Sequence, residues 1–298
     1  MKKAKFLCGV LLVSLLISCG TTSTVPVTGR KQHISVSDEQ ILSLSQQEYT
    51  KYMASAKKST NAKNTAMVQR VGKRLATAVE SYLRNNGYES ELKNYNWEFN
   101  LVQDQSANAF CMPGGKIVVY EGLLPYTQNE TALAIVLGHE IAHAVAKHSQ
   151  EQLSKQQNQQ VGAQILGGVL NAAGVGSNVS DIAQIGFGLG SKFSNLHYSR
   201  SNESEADHMG LIFAAMAGYD PKEAVTFWQR MSASTQSSMP EFLSDHPSDA
   251  KRVKDIQGWL PEAETYYKAA TANNNTTKKT TTKKTTTKKT TSSKKKKK

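Results

Sequence analysis

His139, Glu140 and His143 stand in the order H-E-x-x-H. On a helix, positions i and i+4 share a face, so the two imidazoles can reach one metal ion. Zinc accepts neutral nitrogen ligands in tetrahedral geometry. Glu140 projects close to such an ion without having to bind it. There it can take a proton from a polarised water and later return it to a leaving amine. The flanks, Leu133 to Leu137 and Ala144 to Ala146, are apolar, which predicts that the triplet sits in a buried helix. Three polar groups in such a helix are costly unless something satisfies them. A metal does so; a hydrogen-bond network within the core is the alternative.

A third ligand must come from elsewhere. The metzincin pattern would continue with a glycine and a histidine where this chain has Ala146 and Ser149, so that class is excluded. The best donor is Glu203, in the acidic stretch Ser199 to Asp207. If that stretch is helical, Glu203 and Asp207 share a face one turn apart. Glu203 can then bind the metal while Asp207 accepts a hydrogen bond from a ligating imidazole and fixes its tautomer. Glu205 diverges from Glu203 by about 200° and is expected to point elsewhere. A solvated helix face is the alternative for the whole stretch. His148, His197 and His208 read as ordinary structural or surface histidines.

Stepping outward, the pattern predicts an α+β domain that is mainly helical, with a small sheet. Ser37 and Asp38 can cap a helix whose apolar face carries Ile41, Leu42, Leu44 and Tyr49. A second helix over 65–83 has Val68, Val71, Leu75 and Val79 at helical spacing. Trp97 to Val102 alternates as a strand, and Lys116 to Tyr120 follows a Gly114-Gly115 turn as another. That second strand is expected to be a sheet edge to which an extended substrate could add. One long apolar helix over 130–155 carries H-E-x-x-H. Residues 161–190, rich in Gly, Ala, Ile and Leu, read as broken helices forming a lid. Asp220-Pro221 and His246-Pro247 each open a further helix, and a short one follows Pro261.

The chain has 298 residues and a formal charge of +12, which by itself suggests a nucleic-acid or membrane binder. The distribution argues otherwise. Three lysines lie in the first five residues, and eleven lie between Thr271 and Lys298, where there is no acid. Without those fourteen, 22 basic residues face 24 acidic ones. The body is near neutral, no nucleic-acid partner is expected, and the basic tail is an addition. The repeats of Thr and Lys after Thr276 offer no apolar residue for a core, so the tail should be disordered. Its lysines suit anionic envelope polymers.

Met1 to Lys5 is basic and Phe6 to Ile17 is apolar, the pattern of a secretory signal. The run is too short to span a bilayer. It ends Leu16-Ile17-Ser18-Cys19-Gly20, which resembles a lipobox, so Cys19 is expected to carry lipid and to anchor the chain. Gly20, where an Asp would retain the chain at the inner membrane, implies the outer membrane, with the domain facing the periplasm. Of the remaining cysteines, Cys8 lies in the leader and Cys111 reads as a small buried hydrophobe. Four parts follow: a lipoprotein signal peptide over 1–18, a tether over 19–36, the domain over 37–270, and the tail over 271–298.

Asn108-Ala109-Phe110 with Pro113-Gly114-Gly115, the H-E-x-x-H helix, Ser199-Arg200 with Glu203 and Asp207, and His246-Pro247 come in a specific order. That order resembles the HtpX, BepA and CAAX-prenyl-protease family of gluzincin zinc peptidases. Val25 to Arg30 resembles the opening segment of the lipoprotein and periplasmic members. The resemblance implies a zincin-like domain with one zinc ion per chain, held by His139, His143 and Glu203, and Glu140 as catalytic base. It further implies that Asn108 holds substrate and that His246 and Arg252 stabilise the oxyanion, or that His246 occupies the metal's open position in a resting state. The expected reaction is endoproteolysis of misfolded or misassembled envelope proteins. The alternative is a lipid-anchored chaperone or assembly factor that keeps the fold and cuts little. Helical repeats of the BepA kind and membrane spans of the HtpX kind are missing from the pattern, so recognition through such repeats is not implied.

Overall fold

The computed structural model describes residues 21–159, 198–234, 240–246 and 250–293. The expected leader with Cys19, the expected lid, His197 and Pro247 lie outside them. The described chain is an α+β domain, mainly helical, with one small three-stranded sheet and a separate hairpin.

Helix α1 (Asp38–Ser55) starts at the expected cap. Ser37 Oγ accepts from the Gln40 N–H, and the Gln40 side chain accepts from the Ser37 N–H, so two orphan donors are satisfied reciprocally. Helix α2 (Ala62–Asn85) buries Val68, Val71, Leu75, Val79 and Leu83 completely. At about 1.5–3 kcal/mol for each such side chain, that stripe holds α2 against the core.

The hairpin forms from the stretch expected to be a tether. Strands β1 (Thr21–Thr24) and β2 (Lys31–Ile34) pair antiparallel, and Val25, Gln32 and Ile34 are buried. The Thr, Ser, Gly and Pro content that suggests a tether instead builds a turn. The Gly29 N–H bonds the Val25 carbonyl, and the Thr28 N–H bonds the Pro26 carbonyl.

The sheet comprises β3 (Glu98–Val102), β4 (Ala109–Met112) and β5 (Lys116–Tyr120), in the order β3-β5-β4. β3 runs parallel to β5 and β4 antiparallel. Gly114 and Gly115 make the β4–β5 turn at φ 88° and 82°, the left-handed region in which only glycine is unstrained. β5 is thus the central strand and not the expected edge; the edges are β3, bridged at Val102 by Lys58, and β4. All four β4 residues are buried, so β4 shows none of the alternation by which a strand is recognised.

A single turn, α3 (Leu124–Thr127), leads into α4 (Glu130–Val145). The long helix expected over 130–155 breaks here. Ala146 and Lys147 form a turn with Lys147 at φ 57°, and a second helical stretch, α5, covers 148–159. No Gly or Pro marks the break. The left-handed residue, which costs roughly 1–2 kcal/mol, is held by ion pairs from Lys147 Nζ to Asp38 and Glu91 at 3.0 and 2.8 Å.

The remaining helices are α6 (Arg200–Met216), α7 (Glu223–Ser234), α8 (Glu241–Asp245) and α9 (Ala250–Ser293). α9 runs on into the repeat that composition predicts to be disordered. Among its described side chains, those that are buried lie early, at Arg252, Ile256 and Ala263. The continuation is not explained by propensity, since residues 276–293 hold ten Thr against six Lys and Thr is a poor helix former. Among the described residues no helix is long and apolar enough to cross a membrane.

Candidate metal centre

Helices α4 and α6 cross with backbones in contact. A Cβ on Gly138 would lie 2.7 Å from the Gly210 carbonyl oxygen, and one on Gly210 would lie 2.6 Å from the His139 nitrogen. Only glycine at both positions allows that approach. Glu203, Asp207 and Gly210 follow one another at helical spacing on α6. The same contact therefore sets both carboxylates against His139 and His143.

The atoms converge. His139 Nε2 lies 3.0 Å from His143 Nε2 and 3.1 Å from His246 Nδ1. Glu203 Oε2 is 3.4 Å from His139 Nε2, Glu203 Oε1 is 3.4 Å from His143 Nε2, and His246 Nδ1 is 3.0 Å from Glu203 Oε2. All four residues are buried. A tetrahedral ion with bonds of about 2.0–2.2 Å separates its ligand atoms by about 3.3–3.5 Å, close to these distances. The chemistry of the donors agrees. His139 Nδ1 sits 2.9 Å from Asp207 Oδ1. Asp207 also accepts from Arg252 Nη2 at 2.7 Å and forms an ion pair with Arg252 Nε at 2.6 Å, and remains an anion, so Nδ1 of His139 carries the proton. In the neutral ring that a ligand must be, Nε2 then offers a lone pair towards the Glu203 carboxylate and the other imidazoles. Without a metal, burial would lower the imidazolium, but hydrogen bonds with Asp207 and Glu203 raise it above its ordinary value. Lone pairs aimed at one point in a buried site call for a cation. The residues therefore fit a metal ion, with His246 as a fourth donor beside the three expected ones.

The electrostatics follow from the same contacts. Burial alone would raise the Glu203 carboxyl, but hydrogen bonds with His139 and His143 override it and hold it far below the usual range. Burial pushes the His143 imidazolium well below its ordinary value, leaving the ring neutral as a ligand must be. Burial pushes the Glu140 carboxyl up to about 7, with His246 opposing and Glu203 reinforcing. Its Oε1 is buried and makes no hydrogen bond with any described group, the nearest charge partner being His246 Nε2 at 3.4 Å. The Cys111 backbone of β4 bonds the same carboxylate, which places the base beside the edge strand.

Two residues expected to meet substrate have partners within the protein. Arg252 stacks 3.4 Å over the Trp228 ring, donates to the His246 carbonyl at 3.1 Å, and pairs with Asp207. Its guanidinium thus braces Asp207 and His246, with Nη2 also 3.5 Å from Glu203 Oε2. Asn108 is buried just before β4, and its Oδ1 accepts from the Ala109 N–H at 2.8 Å, a bond within its own chain segment.

Two further residues matter to the site. Glu205 points away from the donor set, as expected, yet it is buried, and His148 is buried against it and against His143. His148 Nδ1 lies 2.9 Å from His143 Nδ1, and His148 Nε2 lies 2.9 Å from Glu205 Oε2. Both are buried. The break at Lys147 turns His148 back onto His143, and no sequence signal announces it. Tyr198 closes the same side, stacked on the His143 ring at 4.1 Å.

A model of peptidase family M48 matches residues 42–260. The chain belongs to peptidase family M48. Within the family it is similar to the mitochondrial metalloendopeptidase OMA1 of Schizosaccharomyces pombe, at 38% identity over 177 residues, 59% of this chain and 50% of the relative. It is similar to the human mitochondrial metalloendopeptidase OMA1 at 32% over 243 residues, 80% of this chain and 46% of the relative. The beta-barrel assembly-enhancing protease of Escherichia coli matches at 31% over 167 residues, 54% of this chain and 34% of the relative. The chain spans about half the length of the fission-yeast and human OMA1 relatives it matches. M48 metallopeptidases depend on zinc, and His139, His143, Glu203 and His246 form the cluster suited to it here.

Proposed function

We propose that this M48 chain is a zinc-dependent endopeptidase, with one zinc ion held by His139, His143 and Glu203. The observation that carries the reading is the Glu140 carboxylate, buried with an unbonded Oε1 beside that donor set. When bound, zinc would polarise the scissile carbonyl and acidify water at neutral pH. Glu140 takes the proton at Oε1, and its carboxyl near pH 7 can return it to the leaving amine. The edge of β4 binds the substrate backbone as an added strand next to Glu140. His246 fills the fourth donor position and must withdraw before substrate enters, so this arrangement is a resting one. The test is casein degradation by the full chain, abolished by a chelator and restored by one equivalent of zinc. Zinc-loaded protein that never cuts would sink this reading and leave a non-proteolytic assembly factor.

The leader motivates a lipid anchor on Cys19, a place on the periplasmic side of the bacterial outer membrane, and misassembled envelope proteins as substrates. Similarity to a beta-barrel assembly-enhancing protease supports that location, while the OMA1 relatives are named as mitochondrial. Cys19→Ser should abolish labelling by a radioactive fatty acid; unchanged labelling would refute the anchor. The Lys-rich tail is assigned to anionic envelope polymers.

A further inference from the structure

His139 has an acidic support in Asp207 at Nδ1; among the described residues, the group on His143 Nδ1 is not a carboxylate. This nitrogen meets another histidine, and that contact determines which nitrogen each ring can offer. A neutral imidazole carries one proton, so one nitrogen donates and the other accepts. Glu205 Oε2, 2.9 Å from His148 Nε2, is an acceptor only. The proton of His148 therefore sits on Nε2, and His148 Nδ1 is a lone pair. Facing it at 2.9 Å, His143 Nδ1 must be the donor. Nε2 of His143 is then the free lone pair, and it is the atom that faces Glu203 Oε1.

Glu205 is itself held. Its Oε1 accepts from the Thr28 hydroxyl at 2.5 Å, and its Oε2 from Arg30 Nε at 2.8 Å. The other guanidinium nitrogens of Arg30 reach Glu151 at 3.1 and 2.9 Å. Thr28 and Arg30 sit on the β1–β2 turn. That turn is strained, because Val27 has φ 69° with the Thr28 N–H bonded to the Pro26 carbonyl. A γ-turn of this hand is rare, and worse for a β-branched residue. Lys147, next to His148, is left-handed as well. Both strained residues lie where they bring a partner to this chain of hydrogen bonds, a pattern that points to a functional constraint.

We infer that Glu205 and His148 are positioning residues for the metal ligand His143, and that the Val25–Arg30 turn, through Thr28 and Arg30, belongs to the metal centre's support. The inference rests on reading the centre as a zinc site. Loss of such a support typically weakens metal affinity about 10–100-fold.

The experiment uses the full chain, stripped and reloaded, with zinc affinity measured by chelator competition and ligand geometry by the visible spectrum of the cobalt(II) form. His148→Ala and Glu205→Ala should each weaken zinc about 10–100-fold and shift the cobalt bands. Arg30→Ala should weaken it less, since Thr28 still holds Glu205. His148→Asn, whose Oδ1 can stand in for Nδ1 as acceptor, should recover most of the affinity. It also keeps a polar group in the site if the alanine variant fails to fold. Folded His148→Ala and Glu205→Ala proteins with wild-type zinc affinity and cobalt spectra overturn the inference. So does a His148→Asn variant no better than His148→Ala, because the role would then be packing alone. Wild-type protein that binds no zinc refutes the functional reading itself, a distinct result.

Discussion

Glu140→Gln separates proton transfer from metal binding. Glu140 is buried beside the donor set but is not one of the four converging ligands, so the variant should keep about one zinc per chain. Activity should fall about 10²–10⁴-fold, the usual worth of general acid–base catalysis. Zinc lost together with activity would make Glu140 structural. A second pair of variants ranks the α6 carboxylates. Glu203→Ala removes a donor and should strip the metal. Asp207→Ala removes the brace of His139 and should cost about 10–100-fold in affinity; metal analysis that finds the opposite order would reverse the roles. These residues were legible in the sequence because a helix puts i and i+4 on one face, whether His139 and His143 or Glu203 and Asp207. His148 and Glu205 were not, since their meeting depends on a left-handed lysine that no Gly or Pro foretells.

At the scale of elements, the centre depends on how closely α4 and α6 pack. The two helices meet at Gly138 and Gly210, where any Cβ would strike backbone and not a movable side chain. Gly210→Ala should force the helices apart. Overpacking of this kind costs about 1–3 kcal/mol, and here it also moves Glu203 away from His139. The melting midpoint and the zinc affinity should therefore fall together. A variant with lower stability but unchanged zinc affinity would show that the crossing does not set the ligand spacing. The helices and β3 and β5 were legible through their periodicity, as with Val68, Val71, Leu75 and Val79 on α2. β4 was not, because a strand buried on both faces shows no alternation. Without β4 in the pattern, β5 reads as an edge.

At the scale of the whole molecule, composition told the charged ends from the neutral body but misjudged residues 21–36. A stretch rich in Thr, Ser, Gly and Pro is a tether only if nothing fixes it. Here Val25 and Ile34 are buried and Arg30 pairs with Glu151 and Glu205. Long-range partners of this kind leave no local pattern. They do leave a pH dependence. Burial would raise the Glu151 carboxyl, but Arg30 and Lys155 reverse that and hold it below its ordinary 4.5. Burial would likewise raise the Asp38 carboxyl, and Gln150 and Lys147 hold it below its ordinary 3.8. Both groups bind protons more weakly when folded than when unfolded. Their stabilisation is therefore complete above the ordinary values and is lost as pH falls through the folded ones. With a chelator present, so that metal loss does not contribute, the gap in urea midpoint between this protein and one lacking both carboxylates should be constant above about pH 5 and close between about pH 5 and pH 3. The double variant Asp38→Asn with Glu151→Gln should start from a lower midpoint at neutral pH and lose less of it on acidification. Equal acid sensitivity in the two proteins would mean that these two carboxylates, which tie α1 and the hairpin to α5, do not couple folding to protonation.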